Sequence, residues 1–259
     1  MSNFVYDATT IRALSDVITP ARLAPYLTAS NNDLQAAIDL YVWNIKAAAR
    51  LYGPLSIFEV ALRNALSREM ARLFGTPDWI GAHPFIALGT ALLNSRPRNA
   101  PAGKPPASPT DLLSDITKTR DRVNKELARK SRHGPASIRA GATTDDVIAA
   151  LDLGYWTKLL NRDVEQHLFI PGLYRAFPHA PRKGKLPDRG PLSNTIHGIR
   201  SLRNRVMHFE PLFQRDLANE IGNIINACRL IDETAGDWIE HHSEFGAGAR
   251  DRLRPRHYF

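Results

Sequence analysis

Cysteine is nearly missing from this chain of 259 residues, with Cys228 the single example. One thiol excludes an internal disulfide framework and any cysteine-based zinc site, and a reducing cytoplasm is the expected location. No run approaches the roughly 20 apolar residues that span a bilayer, and Met1 to Thr10 lacks a basic stretch followed by an apolar one. Membrane insertion and secretion are therefore not expected. A glycine-rich phosphate loop is missing too, as are Ser-His-Asp and paired-carboxylate arrangements, so ATP-driven and ordinary hydrolase chemistry lose support. Convincing strands and internal repeats do not show, and nothing calls for a cofactor.

What the chain has in excess is positive charge. A formal net charge of +8 and a sequence pI near 9.8 favour an anionic partner, and nucleic acid is the commonest large one. The 43% of hydrophobic residues is enough for the core of one large domain or two small ones.

Helix signals dominate, and the reading is an all-α fold. Thr19-Pro20 combines an N-cap with proline at the first helical position, opening a short helix to about Leu27. Asn31 or Asn32 then caps a longer helix in which Leu34, Ile38, Tyr41, Val42 and Ile45 recur at helical spacing up to about Leu51. Gly53-Pro54 reads as a break, followed by a helix from Leu55 to Gly75. Five prolines between Ser95 and Pro109 mark an exposed loop. A mostly charged helix follows Thr110 and runs into the basic tract Arg129-Lys130-Ser131-Arg132-His133, which is either a solvated loop or an RNA-backbone contact. Further helices are expected from Thr144 to Leu159, from Asp163 to Tyr174, after a Ser193 cap, and from Leu217 to Glu233. Phe177 to Gly190 is a second Pro/Gly/basic loop. The organisation is a helical extension over 1–30, a main helical domain over 31–235 with loop insertions near 95–109 and 177–190, and a basic tail over 236–259. Trp43, Trp79, Trp156 and Trp238 fall among apolar neighbours and are expected in the core or at an interface.

The densest chemistry lies between Ile196 and Pro211. His197, Arg200, Asn204 and His208 share a narrow sector of a helix at about 100° per residue, while Ile196, Ile199, Leu202 and Val206 take the opposite side. Arginine can hold a phosphate through two charge-assisted hydrogen bonds, asparagine can orient a hydroxyl, and histidine can move a proton near neutral pH. Arg203 lies roughly 140° from His208 on an ideal helix. Either the helix ends near Met207 and His208 swings round in the capping turn, as Pro211 favours, or Arg203 serves the fold and Arg200 meets the phosphate. The bare spacing of arginine and histidine recurs at Arg162/His167 and Arg252/His257. Only the pair at 203 and 208 adds an asparagine after the arginine and an apolar helix back.

The stretch Leu202-Arg203-Asn204-Arg205-Val206-Met207-His208-Phe209-Glu210-Pro211 resembles the Arg-Asn-x-x-x-His signature of the HEPN superfamily, in its Abi-like, abortive-infection form. Phe58-Glu59-Val60-Ala61-Leu62-Arg63-Asn64-Ala65-Leu66 resembles an N-terminal helix of that group. Leu153 to Leu160 and Pro171 to Phe177 resemble two later segments, so the likeness covers roughly residues 35 to 230 in order. It implies a HEPN-like helical bundle and a homodimer that brings two motifs together. It also implies metal-independent endoribonuclease activity in phage defence or as the toxin of a toxin–antitoxin pair, with a cognate antitoxin protein as a partner. Arg203, Asn204 and His208 would be catalytic. Superfamily members that have lost cleavage make a non-catalytic RNA- or protein-binding module the second reading.

Supporting residues are Arg200, His197 and Glu210, together with Glu59, Arg63 and Asn64. Glu59 and Arg63 have i, i+4 spacing suited to an ion pair, or they form a second wall of the site as the resemblance implies. Glu210 either tunes His208 or occupies the turn before Pro211. No metal is expected, because Glu240, His241, His242 and Glu244 do not assemble three well-placed ligands.

Overall fold

Helical periodicity becomes helix almost everywhere in the computed structural model, which describes residues 6–94, 110–133 and 141–243. The elements in order are α1 Ala8–Ile18, α2 Pro20–Ala29, α3 Leu34–Phe74, α4 His83–Asn94, α5 Leu113–His133, α6 Thr144–Ala150 and α7 Leu153–Lys158. A two-stranded ribbon, β1 Arg182–Lys183 and β2 Leu186–Pro187, precedes α8 Arg189–Met207, α9 Leu217–Ile231 and α10 Glu233–His242. The fold is predominantly helical, and no helix among the described residues is long and apolar enough to cross a membrane.

Several local expectations are corrected. Helix α3 runs unbroken for 41 residues with Pro54 inside it. An interior proline costs about 3 kcal/mol through its missing N–H and its clash with the preceding turn. Leu51, Leu55 and Phe58 flank it and are at most 1% exposed, and burying each is worth about 1.5–3 kcal/mol. Continuity therefore wins. Neither Asn31 nor Asn32 caps this helix, since both take left-handed backbone angles in the preceding turn. Asp33 does so instead, its Oδ1 accepting from the Ala36 N–H at 3.0 Å.

The expected helix from Thr144 to Leu159 is two helices, because Leu151 is extended and Asp152 starts a second helix by accepting from the Tyr155 N–H at 2.9 Å. From Arg162 to Ala176 the chain makes short 3-10 and π turns rather than one helix. The 177–190 loop holds the β-ribbon, whose turn puts Gly184 at φ +72°. Helix α8 starts at Arg189, ahead of Ser193, with Asp188 Oδ1 accepting from the Gly190 N–H at 3.1 Å. The basic tract from Arg129 to His133 is the last turn of α5, not a loop. Residue 236 lies inside α10, so no tail begins there. The loop expected at 95–109 and the last part of the expected tail, 244–259, lie outside the described residues.

The chain divides into two compact units that alternate along the sequence: Met1–Ile57, Ser201–Asn226 and Gly236–Phe259 form the first, Phe58–Arg200 and Ala227–Ala235 the second. In the first, Tyr26, Ala37, Leu40 and Phe213 make a core cluster against Tyr41 and Trp43. Tyr26 stands edge-on to Tyr41 with ring centroids 5.2 Å apart, and lies 5.3 Å from Phe213. In the second, Trp79 is edge-on to both Phe85 and Trp156, at 5.1 and 6.4 Å, and its indole N–H donates to Ser67. Such ring pairs add about 0.5–1.5 kcal/mol beyond the area they bury. Trp79 and Trp156 are core residues as expected, whereas Trp238 is 54% exposed, its ring beside His242 on the last turns of α10.

Helices α4 and α5 meet at Gly89, where an added Cβ would lie 2.6 Å from Leu113 Cγ. Alanine favours helix by about 1 kcal/mol over glycine, but overpacking costs about 1–3 kcal/mol. Gly89→Ala is expected to lower the melting temperature; a rise on thermal denaturation would show that the two helices yield freely.

Candidate functional site

Helix α8 stops in a defined way. The His208 N–H still donates to the Asn204 carbonyl at 2.9 Å, then the Phe209 N–H turns to Val206 and the Glu210 N–H to Arg205 at 2.9 Å. This is a Schellman ending with His208 as the C-cap and Phe209 beyond it at φ 57°. The helix thus ends at Met207, as Pro211 suggested. His208 nevertheless keeps its place in the helical ladder, so its Cβ follows the track of Asn204, and the reversal comes one residue later. Arg203 and Asn204 are half-buried, and His208 is exposed.

Two residues that periodicity had not marked hold this ending in place. Asn44, on α3 and only 2% exposed, accepts from the Leu212 N–H through Oδ1 at 2.6 Å and donates from Nδ2 to the Glu210 carbonyl at 3.3 Å. Its carboxamide thereby serves the backbone of 210–212 as a neighbouring peptide would. Arg22, on α2, donates to the carbonyls of His208 and Phe209 at 3.3 and 3.0 Å, placing a cation where the helix dipole is negative. Glu210 turns its carboxylate to Arg205, 3.4 Å away; both side chains are well exposed, so the pair adds little stability.

Beside the ending lies an apolar groove of about 590 Å³ lined by Tyr41, Asn44, Ile45, Ala48, Ala49 and Tyr52 of α3 and by Val206, Met207 and Phe209. Ile45, counted among the buried stripe from its spacing, is 50% exposed here, with Tyr52 at 56% and Phe209 at 63%. Only the left-handed turn at Phe209 aims its ring at α3, so the sequence pattern held no sign of the groove.

The remaining candidates belong to the second unit. His197 Nε2 is 3.2 Å from Asn161 Oδ1; Asn161 Nδ2 donates to Thr110 Oγ1, and Thr110 donates on to Asp163 Oδ1 at 2.8 Å. The direction of these bonds requires the Nε2–H tautomer. Arg200 donates to Thr157 Oγ1 at 3.4 Å and lies so close over Gly154 that an added Cβ there would sit 3.0 Å from its Nη2. Arg63 donates to the Ala149 carbonyl at 3.0 Å, and Arg122 to Ala150 at 2.8 Å, so two guanidiniums cap the end of α6. Glu59 is half-buried and Asn64 exposed on α3.

Burial, then the nearby Arg200 and Arg189, hold the His197 pKa below its ordinary 6.5. The unfolded chain takes up that proton first, so the contribution of neutral His197 is complete above about pH 6.5 and is lost as the pH falls toward the lower folded value. Stability measured by chemical denaturation should drop between pH 7.5 and 5.5, and His197→Gln should flatten that drop; an unchanged slope would contradict the assignment. Asn44→Ala strands a buried N–H and should cost about 1–3 kcal/mol. An unaltered denaturation midpoint would mean that Asn44 does not hold the turn.

The chain matches no protein-family model, and neither a curated protein nor a solved structure matches it.

Proposed function

We propose that this chain is a metal-independent endoribonuclease of the HEPN type, acting as a homodimer in phage defence or as a toxin held by a cognate antitoxin. The observation that carries the reading is the end of α8: Arg203 and Asn204 in its last two turns, His208 as an exposed cap on the Asn204 track, and Asn44 and Arg22 holding the turn behind them. Arg203 is read as the group that meets the phosphate on the strength of the resemblance, with Arg200, close to Thr157 and Gly154, as its helper.

The chemistry needs no external reagent. The RNA 2′-hydroxyl loses its proton to a base and its oxygen attacks the adjacent phosphorus; the bond to the 5′-oxygen breaks, and that oxygen takes a proton from an acid. The products are a 2′,3′-cyclic phosphate and a 5′-hydroxyl. His208 serves as one of the proton carriers and a second copy of His208 as the other. Arg203 stabilises the charge that builds on the phosphorane, and Asn204 orients the hydroxyl or His208. DNA has no 2′-hydroxyl and is not cleaved.

Incubation of purified protein with mixed RNA in EDTA should yield cyclic-phosphate ends, and His208→Ala should lower the rate by at least about 100-fold, the usual worth of a positioned acid or base. RNA left intact by the wild-type protein, or cut equally well by the variant, would end the proposal.

A further inference from the structure

Four cations without a protein partner stand in a row on α5. At about 100° per residue, Lys118, Arg122, Lys125, Arg129 and Arg132 fall within about 40° of one line along the helix. All five are exposed. Ile116, Val123 and Leu127 take the opposite side, Ile116 buried and the other two half-buried, and α5 packs against α4 and α6. The row therefore faces away from the core. Arg122 gives one N–H to the Ala150 carbonyl at 2.8 Å, whereas among the described residues no hydrogen bond or ion pair engages Lys118, Lys125, Arg129 or Arg132. That sets these four apart from Arg22, Arg63, Arg189 and Arg215, which hold helix ends or carboxylates.

The acidic residues of α5 do not cancel the row. Asp115 is taken by Lys158, Asp121 and Glu126 stand on the two flanks, and the helix carries seven Lys or Arg against three Asp or Glu. Like charges three and four residues apart on a helix repel one another. An anion laid along the row relieves that repulsion. The row is straight and about 21 Å long at 1.5 Å per residue, with about one cation per turn.

Its chemistry narrows the partner. A helix lying in a lipid interface turns an apolar face outward, and α5 turns its apolar face to the body of the protein. A protein partner is anchored by aromatic and other apolar side chains at the centre of the contact, and the row has none. Point charges and guanidiniums, with nothing beside them to stack on a base, suit a phosphodiester backbone.

We propose that this face of α5 is a docking surface for the backbone of RNA, held without regard to sequence. It rests on the ribonuclease reading only for the choice of RNA; the surface holds the strand and takes no part in cutting it.

The probe is a fluorescein-labelled 2′-O-methyl RNA oligonucleotide of mixed sequence, which offers no 2′-hydroxyl for cleavage, followed by anisotropy over a range of salt concentrations. Neutralising Lys125, Arg129 and Arg132 together to Gln should lower the slope of log affinity against log salt by about 2, or about 0.7 per contact with a single strand. That lost slope corresponds to about 50-fold in affinity between 1 M and 0.15 M salt. Lys125→Gln alone should remove about a third of it. The control neutralises exposed Arg182, Lys183 and Lys185 of the β-ribbon to Gln, removing the same three charges elsewhere, and should leave the slope nearly unchanged. An unaltered slope in the α5 variants, an equal loss in the control, or equally tight binding of polyglutamate by the wild-type protein would overturn the surface. Cleavage of ordinary RNA persisting in any of those cases would leave the ribonuclease reading standing. Loss of slope in the α5 variants of a protein that cuts no RNA would keep the surface and remove the ribonuclease reading.

Discussion

The carboxamide of Asn44 determines where the chain turns after α8, and much of the candidate site follows from that. A buried amide with one donor and one acceptor directed at the same three-residue stretch leaves residues 210–212 little freedom. With Glu210 and Leu212 anchored, the chain must reverse between His208 and Glu210, and the left-handed angle falls on Phe209. Arg22 then meets the two carbonyls the reversal exposes. His208 is left at the rim, exposed and one turn below Asn204, and the Phe209 ring is directed to α3. A single buried polar residue thus holds the turn that follows the motif helix, beside the exposed His208 and the groove that Phe209 lines.

Arginine is put to different uses across the chain, and composition alone does not separate them. Of the 34 basic residues, Arg63 and Arg122 cap α6, Arg189 joins Glu165 and the Leu160 carbonyl, and Arg22 caps α8. Arg63, Arg122 and Arg22 satisfy carbonyl groups that a helix end leaves without a partner. The same accounting places Arg200 beside Thr157 and Gly154, and gives His197 a place in a directed chain of hydrogen bonds ending on Asp163. Net positive charge points toward an anionic partner only after these structural cations are set aside. Lys118, Lys125, Arg129, Lys130 and Arg132, exposed along α5, remain as a candidate backbone contact on the second unit.

Periodicity and capping made the helices legible where each depended on its own residues. The all-α class, the helix from Leu217, and the end of α8 ahead of Pro211 all rest on local preferences. The errors have a common origin. Gly53-Pro54 carries every local sign of a break, yet flanking apolar burial outweighs the lost hydrogen bond. Ile45 and Trp238 belong to apolar patterns but are left exposed, because a pattern does not say whether another element arrives to cover it. Leu151, conversely, looked like one more position of a long helix, and Asp152 restarts the chain there.

Sequence alone determined the helical class, the positive charge, and the grouping of Arg203, Asn204 and His208 within six residues, since all three depend on neighbours along the chain. Tertiary structure decided which arginines hold helix ends and ion pairs, that the His208 N–H stays in the helical ladder, and that Phe209 opens onto a groove. The partners responsible lie far away in sequence: Asn44 is 166 and 168 residues from the groups it holds, and Arg22 is 186 and 187 from its own. Hydrogen bonds over such separations leave no periodic trace, because nothing local specifies them; they exist only once the fold has brought donor and acceptor to within about 3 Å.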